Sequence, residues 1–248
     1  TMFIADTAAD LSAGTLYAAR FHQTSNVGAG AADVEWISLG HATHDEVKAY
    51  IDADVTFSQI FSVADPVLDA NGDMTGECPD SFRAVNTTTG FQCLSLNAGM
   101  EIAASRLETR RYAGYMGATT ELRKEEGLAF DPVSGTLFVA ISEIERGMED
   151  FKKSGSDNNS YDLGSGNHLQ LEHNDCGAIY AMDIEVDNVL GSDYVARNWY
   201  GIVEGKVMDY GEDSAYAGNS CSVTSISNPD NATFIPGYNT LIIGEETS

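Results

Sequence analysis

Basic residues are scarce in this chain. Lys and Arg number 13 against 38 Asp and Glu, a formal charge of -25 over 248 residues. Nucleic-acid recognition needs clustered Lys and Arg on phosphates, so the balance argues against that partner, and equally against adhesion to an anionic membrane. No run of about 18 apolar residues occurs, so no membrane span is expected. There is no Cys-x-x-Cys, no His-Glu-x-x-His, no Gly-x-Ser-x-Gly and no Walker A sequence. Zinc-knuckle, zincin, serine-hydrolase and P-loop chemistry therefore have no support. His41, His44, His168 and His173 are scattered. Position 1 is Thr and the first residues lack a basic segment. The expectation is a chain that was processed or cut from something longer, with no signal peptide in the part at hand.

What is present is globular. Hydrophobic residues make up 43% and charged residues 21%, which suits one large domain or two small ones. So many carboxylates repel unless something screens or binds them; Ca²⁺ and a salty medium are the two candidates. The four cysteines, Cys78, Cys93, Cys176 and Cys221, are an even count. Pairing Cys78 with Cys93 and Cys176 with Cys221 is one reading, and four reduced, buried thiols is the other. Sequons stand at Asn86, Asn158 and Asn231, and matter only in a secreted eukaryotic protein.

The chain repeats itself. The segment from Glu126 to Val139 and the segment from Asp230 to Ile243 align without a gap at an offset of 104. Phe130 falls on Phe234, Pro132 on Pro236, and Thr136-Leu137 on Thr240-Leu241. Each copy reads as a β-hairpin with a Pro/Gly/Asn turn. Residues 1–6 match the second strand alone. Further strands are expected over 14–21, 33–39, 177–184 and 198–203. The unit is then a four-stranded meander, the blade of an all-β propeller. Residues 126–205 form the best-defined complete blade, and 41–122 a helix-containing insertion of the single propeller domain, 1–248. Within the insertion, Asp45–Ile51 reads as a short helix capped by Thr43, and Gly99–Met116 as a longer one. Residues 152–176 read as a polar loop. About two to three blades are too few for a closed ring, and an open ring exposes strand edges. A fragment of a longer protein, or a chain associated with its other half, follows as the expectation.

Several segments occur in an order that narrows the family. They are Ala13–Phe21, Ile37–His41, Glu108–Arg111, Gly117–Thr119, Arg123–Pro132 and Asn228–Asn231. Together they resemble the PhoX-type alkaline phosphatase family along nearly the whole chain. The resemblance implies a six-bladed propeller with an axial cluster of Ca²⁺ and Fe³⁺, hydrolysis of phosphomonoesters, export to the periplasm or beyond, and a longer parent chain. The family's Arg-Pro-Glu segment corresponds to Lys124-Glu125-Glu126. Counting back from Pro132 gives Glu126 as the metal-binding acid and Lys124 as the substrate-facing cation. Counting from Gly117-Ala-Thr gives Glu125 and Arg123 instead. The family's Pro-Asp-Asn segment corresponds to Pro229-Asp230-Asn231, with Asp230 a Ca²⁺ ligand. The iron-ligating Cys segment and a further metal-binding Glu have no counterpart in this chain, so this piece alone is not expected to assemble the cluster.

The residues support a parallel argument. The first strand of each blade lies nearest a propeller's channel, so Glu126 and Asp230 point at one axis from two blades. Inward carboxylates must bind cations or share protons, and Ca²⁺ takes about six to eight oxygens. Asn231 adds a carbonyl and Glu143 ends the second strand toward the same mouth, with Glu245 and Glu246 matching it in the next repeat. The bland alternative is two acids capping strand ends. Phosphoryl transfer needs positive charge on the equatorial oxygens and a positioned nucleophile; clustered metals supply both, and Lys124 or Arg123 would clamp the oxygens. The expected partners are a small phosphomonoester and the remainder of the parent chain or a second chain completing the ring. A non-catalytic, Ca²⁺-stabilised extracellular scaffold is the other reading.

Overall fold

The computed structural model describes residues 1–87, 89–164 and 166–246. In chain order the elements are β1 (Met2–Thr7), β2 (Asp10–Ser25), β3 (Ala31–Thr43), α1 (His44–Asp52), α2 (Phe57–Ile60), β4 (Phe61–Ala64), β5 (Arg83–Thr87), β6 (Gly90–Leu96), α3 (Glu101–Leu107) and α4 (Thr109–Tyr115). They continue with β7 (Glu125–Asp131), β8 (Thr136–Ile141), β9 (Lys152–Lys153), β10 (Ser156–Asp157), β11 (Ala178–Asp187), β12 (Ser192–Ala196), β13 (Asn198–Glu204), β14 (Pro229–Ile235) and β15 (Thr240–Glu245). The fold is all-β, built of antiparallel sheets in a partial, propeller-like arrangement of meanders and hairpins. The chain divides into two compact units.

The first unit takes Thr1–Phe21, Glu35–Glu121 and Asn159–His168. β1 pairs with β2 as a hairpin, Met2 opposite Tyr17 and Ala5 opposite Gly14. Ile60, Phe61, Val85, Leu94, Ala103, Ala104 and Tyr112 form its apolar core with Ala18 and Leu39. α1 starts in a capping box: the Thr43 hydroxyl accepts from the Glu46 amide while Glu46 accepts from the Thr43 amide. The single helix expected over Gly99–Met116 is two. Glu108 leaves helical geometry (φ -126°, ψ 38°) between α3 and α4, and the Thr109 hydroxyl donates back to the Ser105 carbonyl at 2.6 Å. Side-chain competition of this kind bends or ends helices. The sheet β4-β6-β5 was not anticipated. Its strands are short, and the Cys78–Cys93 disulfide ties the loop before β5 to β6.

The second unit takes His22–Val34, Leu122–Asn158 and Leu169–Ser248. β7, β8, β11 and β13 lie side by side in that order, all antiparallel. The start of β3 adds beyond β13, with Asp33 opposite Asn198. β12 continues β13's path along the far end of β11, Ala196 opposite Ile184. Ile141, Ile179, Tyr180, Ala181 and Trp199 fill the centre. Tyr180 and Trp199 stack at 3.9 Å, and the Tyr180 hydroxyl donates to the Ala29 carbonyl at 2.8 Å. Cys176 and Cys221 are disulfide-bonded. Between β8 and β11 the chain is mostly loop, and among the described residues it carries a single 3-10 turn at Arg146–Met148 and the two-residue strands β9 and β10.

The two repeats fold alike to the residue. In the first, Leu128 faces Val139 and Asp131 faces Thr136; in the second, Ala232 faces Ile243 and Ile235 faces Thr240. Every one of these positions is displaced by the same 104 residues. The register slips at the same place too, next to the Glu125–Ile141 pair in one hairpin and the Pro229–Glu245 pair in the other. Left-handed backbone recurs at matching positions, at Lys124 and Asn228 (φ 54° and 45°) and at Gly135 and Asn239 (φ 72° and 50°). Gly and Asn tolerate that region; Lys does so at a cost. The hairpins also pack on one another, with Phe138 stacked on Phe234 at 5.8 Å. Gly127 makes this approach possible, because a β-carbon there would stand 2.5 Å from the Asp230 carbonyl oxygen.

Candidate functional site

The candidate residues lie in the second unit, around the bulged ends of the two hairpins. Glu126 and Asp230 both sit within the irregular stretch of their strands. A bulge turns one side chain away from the strict alternation of a strand, which is why bulges gather beside functional sites. Asp230 accepts a hydrogen bond from the Asn231 side-chain Nδ2 at 2.6 Å. Lys124 holds its ammonium 4.0 Å from Glu126, with both side chains about one-third exposed (36% and 34%). That loose pair leaves the Lys124 donors available.

Arg123 is bound more firmly. It donates to Glu143 at 2.9 Å and to Glu145 at 3.3 Å, in a partly buried setting. Glu145 also accepts from Arg146 at 3.0 Å. Burial raises the Glu145 carboxyl, but the Arg146 and Arg123 guanidiniums outweigh it and hold the group below the usual range. Glu143 is therefore half of an ion pair. Glu125 opens β7 opposite Ile141. Desolvation by the chain packed on one side pushes its carboxyl up, although the residue keeps a solvent-facing side.

Sequence reasoning missed the acid that is held most completely. Glu149 is fully buried and accepts from the amides of Arg146 (2.9 Å), Ser154 (2.7 Å) and Gly155 (2.7 Å). It ties the polar loop after β8 into a compact turn. The signal was there: Glu145 and Glu149 interrupt a run whose Ile144 and Met148 are buried, and an acid among buried apolar residues needs partners.

The donor set does not by itself fit a Ca²⁺/Fe³⁺ cluster. Among the described residues no group of three or more His, Cys, Asp or Glu side chains is close enough to hold a metal ion. All four cysteines are in disulfides. Glu125 and Glu126 follow Lys124 directly, and Glu126 lies 4.0 Å from its ammonium, so an anion entering there meets repulsion as well as attraction.

No family model matches the chain, and no curated protein matches it. Among solved structures it is similar to Pseudomonas fluorescens PhoX in complex with vanadate, a transition state analogue, at 15% identity and a TM-score of 0.45. The likeness covers 95% of this chain and 30% of that one, so the chain spans less than a third of that protein's length. A likeness of this degree carries no argument about activity.

Proposed function

We propose that the chain is part of an exported phosphomonoester hydrolase of the PhoX type. Its contribution would be one side of an anion site, with Lys124 as the cation on the phosphate oxygens and Glu126 and Asp230 as the carboxylates of two successive blades. The observation that carries this reading is the coincidence of the two hairpins. It sets Glu126 and Asp230 in equivalent bulges, with the strained Lys124 two residues before Glu126. A non-Gly residue held left-handed is an unfavourable choice that recurs at functional sites. The two disulfides suit an oxidising compartment. Among the described residues no helix is long and apolar enough to cross a membrane. The Ca²⁺ and Fe³⁺ implied by the resemblance would need donors beyond those gathered here, so no step of the reaction is assigned to them.

The test is hydrolysis of p-nitrophenyl phosphate by protein carrying this sequence, alone and with any chain that completes the ring. Glu126→Gln should remove whatever turnover exists without changing the circular dichroism spectrum. Wild-type turnover in that variant would end the assignment of Glu126.

A second reading has its own support. Arg123 is neutralised by two carboxylates and no three-donor cluster is formed among the described residues. Both features favour a propeller-like extracellular scaffold without catalysis. Absence of phosphate binding as well as turnover, in protein whose ring is complete, would decide for it.

A further inference from the structure

We propose that Asn228 is a positioning residue of the anion site, holding Asp230 of one hairpin in fixed register with Lys124 and Glu126 of the other. The inference rests on the reading of those three residues as one site. The repeat isolates what Asn228 adds. Lys124 and Asn228 are counterparts, both left-handed. Each carbonyl accepts a hydrogen bond from the residue that follows the second strand of its own hairpin. The Ser142 amide donates to Lys124 at 3.1 Å, and the Glu246 amide, 104 positions on, donates to Asn228 at 3.0 Å. The two main chains are therefore served alike, and the side chains are not. Lys124 holds its ammonium 4.0 Å from Glu126, whereas Asn228 turns its amide onto the main chain of the first hairpin.

The Asn228 Nδ2 donates to the Ser142 carbonyl at 3.1 Å and to the Asp175 carbonyl at 2.6 Å, and its main-chain amide donates to the Cys176 carbonyl at 3.0 Å. A carboxamide nitrogen has two hydrogens, and both are used. Ser142 is thus gripped from both hairpins, its N–H by Lys124 and its C=O by Asn228. Each gripping residue stands two positions before a candidate carboxylate, Glu126 or Asp230. The link crosses between the hairpins where both strands are bulged, so that the ladder alone fixes side-chain direction least. Asn is the residue such a place requires. It tolerates left-handed backbone and carries donors; ionised Asp has none, and Gly has no side chain. Charges held in place before a ligand arrives are what a functional site needs from its supporting residues.

The probe is inorganic phosphate, titrated by calorimetry into the intact protein and into Asn228→Gly, which permits the same backbone and deletes the amide. Phosphate affinity should fall at least tenfold, and the Ser142 amide should exchange with solvent at least tenfold faster. If Asn228→Gly does not fold, Asn228→Asp, which keeps the side-chain volume and loses the donors, takes its place with the same expectations. Asn198→Ala is the control. Asn198 clasps β11 to β13 in the same unit, donating to the Asp183 carboxylate at 2.7 Å and accepting from the Asp183 amide at 2.8 Å. Its loss should lower the unfolding temperature and leave phosphate affinity unchanged. Phosphate binding at full strength in the Asn228 variant overturns the proposal and leaves the anion site standing. An equal loss of binding in Asn198→Ala overturns it too, since the role would then be general support of the fold. No phosphate binding by the unsubstituted protein ends the anion-site reading itself, and the positioning role with it.

Discussion

The main chain of Gly127 runs against that of Asp230, so closely that a β-carbon on Gly127 would meet the Asp230 carbonyl oxygen at 2.5 Å and the Ala232 nitrogen at 2.7 Å. Neither neighbour is a side chain that can swing aside. Gly127→Ala should therefore force the hairpins apart, at a cost of about 1–3 kcal/mol. Urea denaturation would measure it, and exchange at β14 should accelerate more than exchange at β11. An unchanged midpoint would mean that the crossing is looser than described.

Lys124 and Arg123 separate by their surroundings. Lys124 occupies left-handed backbone that its counterpart, Asn228, adopts at lower cost. Lys124→Asn should leave stability equal or higher while inorganic phosphate binding, read by calorimetry, falls at least tenfold. Arg123→Ala should do the reverse. It strands Glu143 and Glu145 without their shared donor, for a loss of about 1–3 kcal/mol. A drop in phosphate binding with Arg123→Ala alone would transfer the clamp to that residue.

The disulfides differ in loop length. Cys176 and Cys221 are separated by 45 residues, Cys78 and Cys93 by 15. A longer loop restricts the unfolded chain more. Replacing the first pair by Ser should cost roughly 2–5 kcal/mol, and replacing the second somewhat less. Thermal unfolding of the two double variants compares them directly.

Two turns contribute to the acid limit. Asp131 accepts from the Ser134 hydroxyl and the Val133 amide, and Asp187 from the amides of Leu190 and Val189 while pairing with Arg197. These hydrogen bonds, with Ser134 the leading cause at Asp131 and Leu190 at Asp187, hold both carboxyls below the ordinary 3.8. A depressed folded pKa means that the unfolded chain binds more protons in that window. Their stabilisation is whole above the unfolded value and is lost as pH falls through the folded one. The double variant Asp131→Asn, Asp187→Asn should show a shallower fall in stability between about pH 5 and pH 2.

The hairpins were legible because Phe130, Pro132 and Thr136-Leu137 recur at a constant offset in Phe234, Pro236 and Thr240-Leu241, and a gapless repeat preserves register. The bulge at Glu126 and Asp230 was not legible, since a slipped pairing leaves no mark in composition. The break at Glu108 escaped because Thr109 competes for the Ser105 carbonyl through a side-chain bond that periodicity does not count. β4, β5 and β6 were missed because each is short and loop separates β4 from the other two. At the site, the residue types were readable and the pairing was not. Nothing in the order Arg123, Glu143, Glu145 says that one guanidinium will close on two acids some 20 positions away.

The matching register of the two hairpins carries a hazard for folding. Each can compete for the other's place while the chain is still assembling, since their pairing, turns and bulges coincide. Ten of the fourteen aligned positions differ, and position 127 is the one where the difference decides a backbone approach. Asn231 stands at the matching place in the second copy, and its side chain could not admit a crossing backbone at that distance. Gly127 thus acts as a key that accepts β14 against β7 and refuses the exchanged arrangement. Losing it would cost order as well as stability, because one of the features that keeps the two hairpins in their own places would be gone.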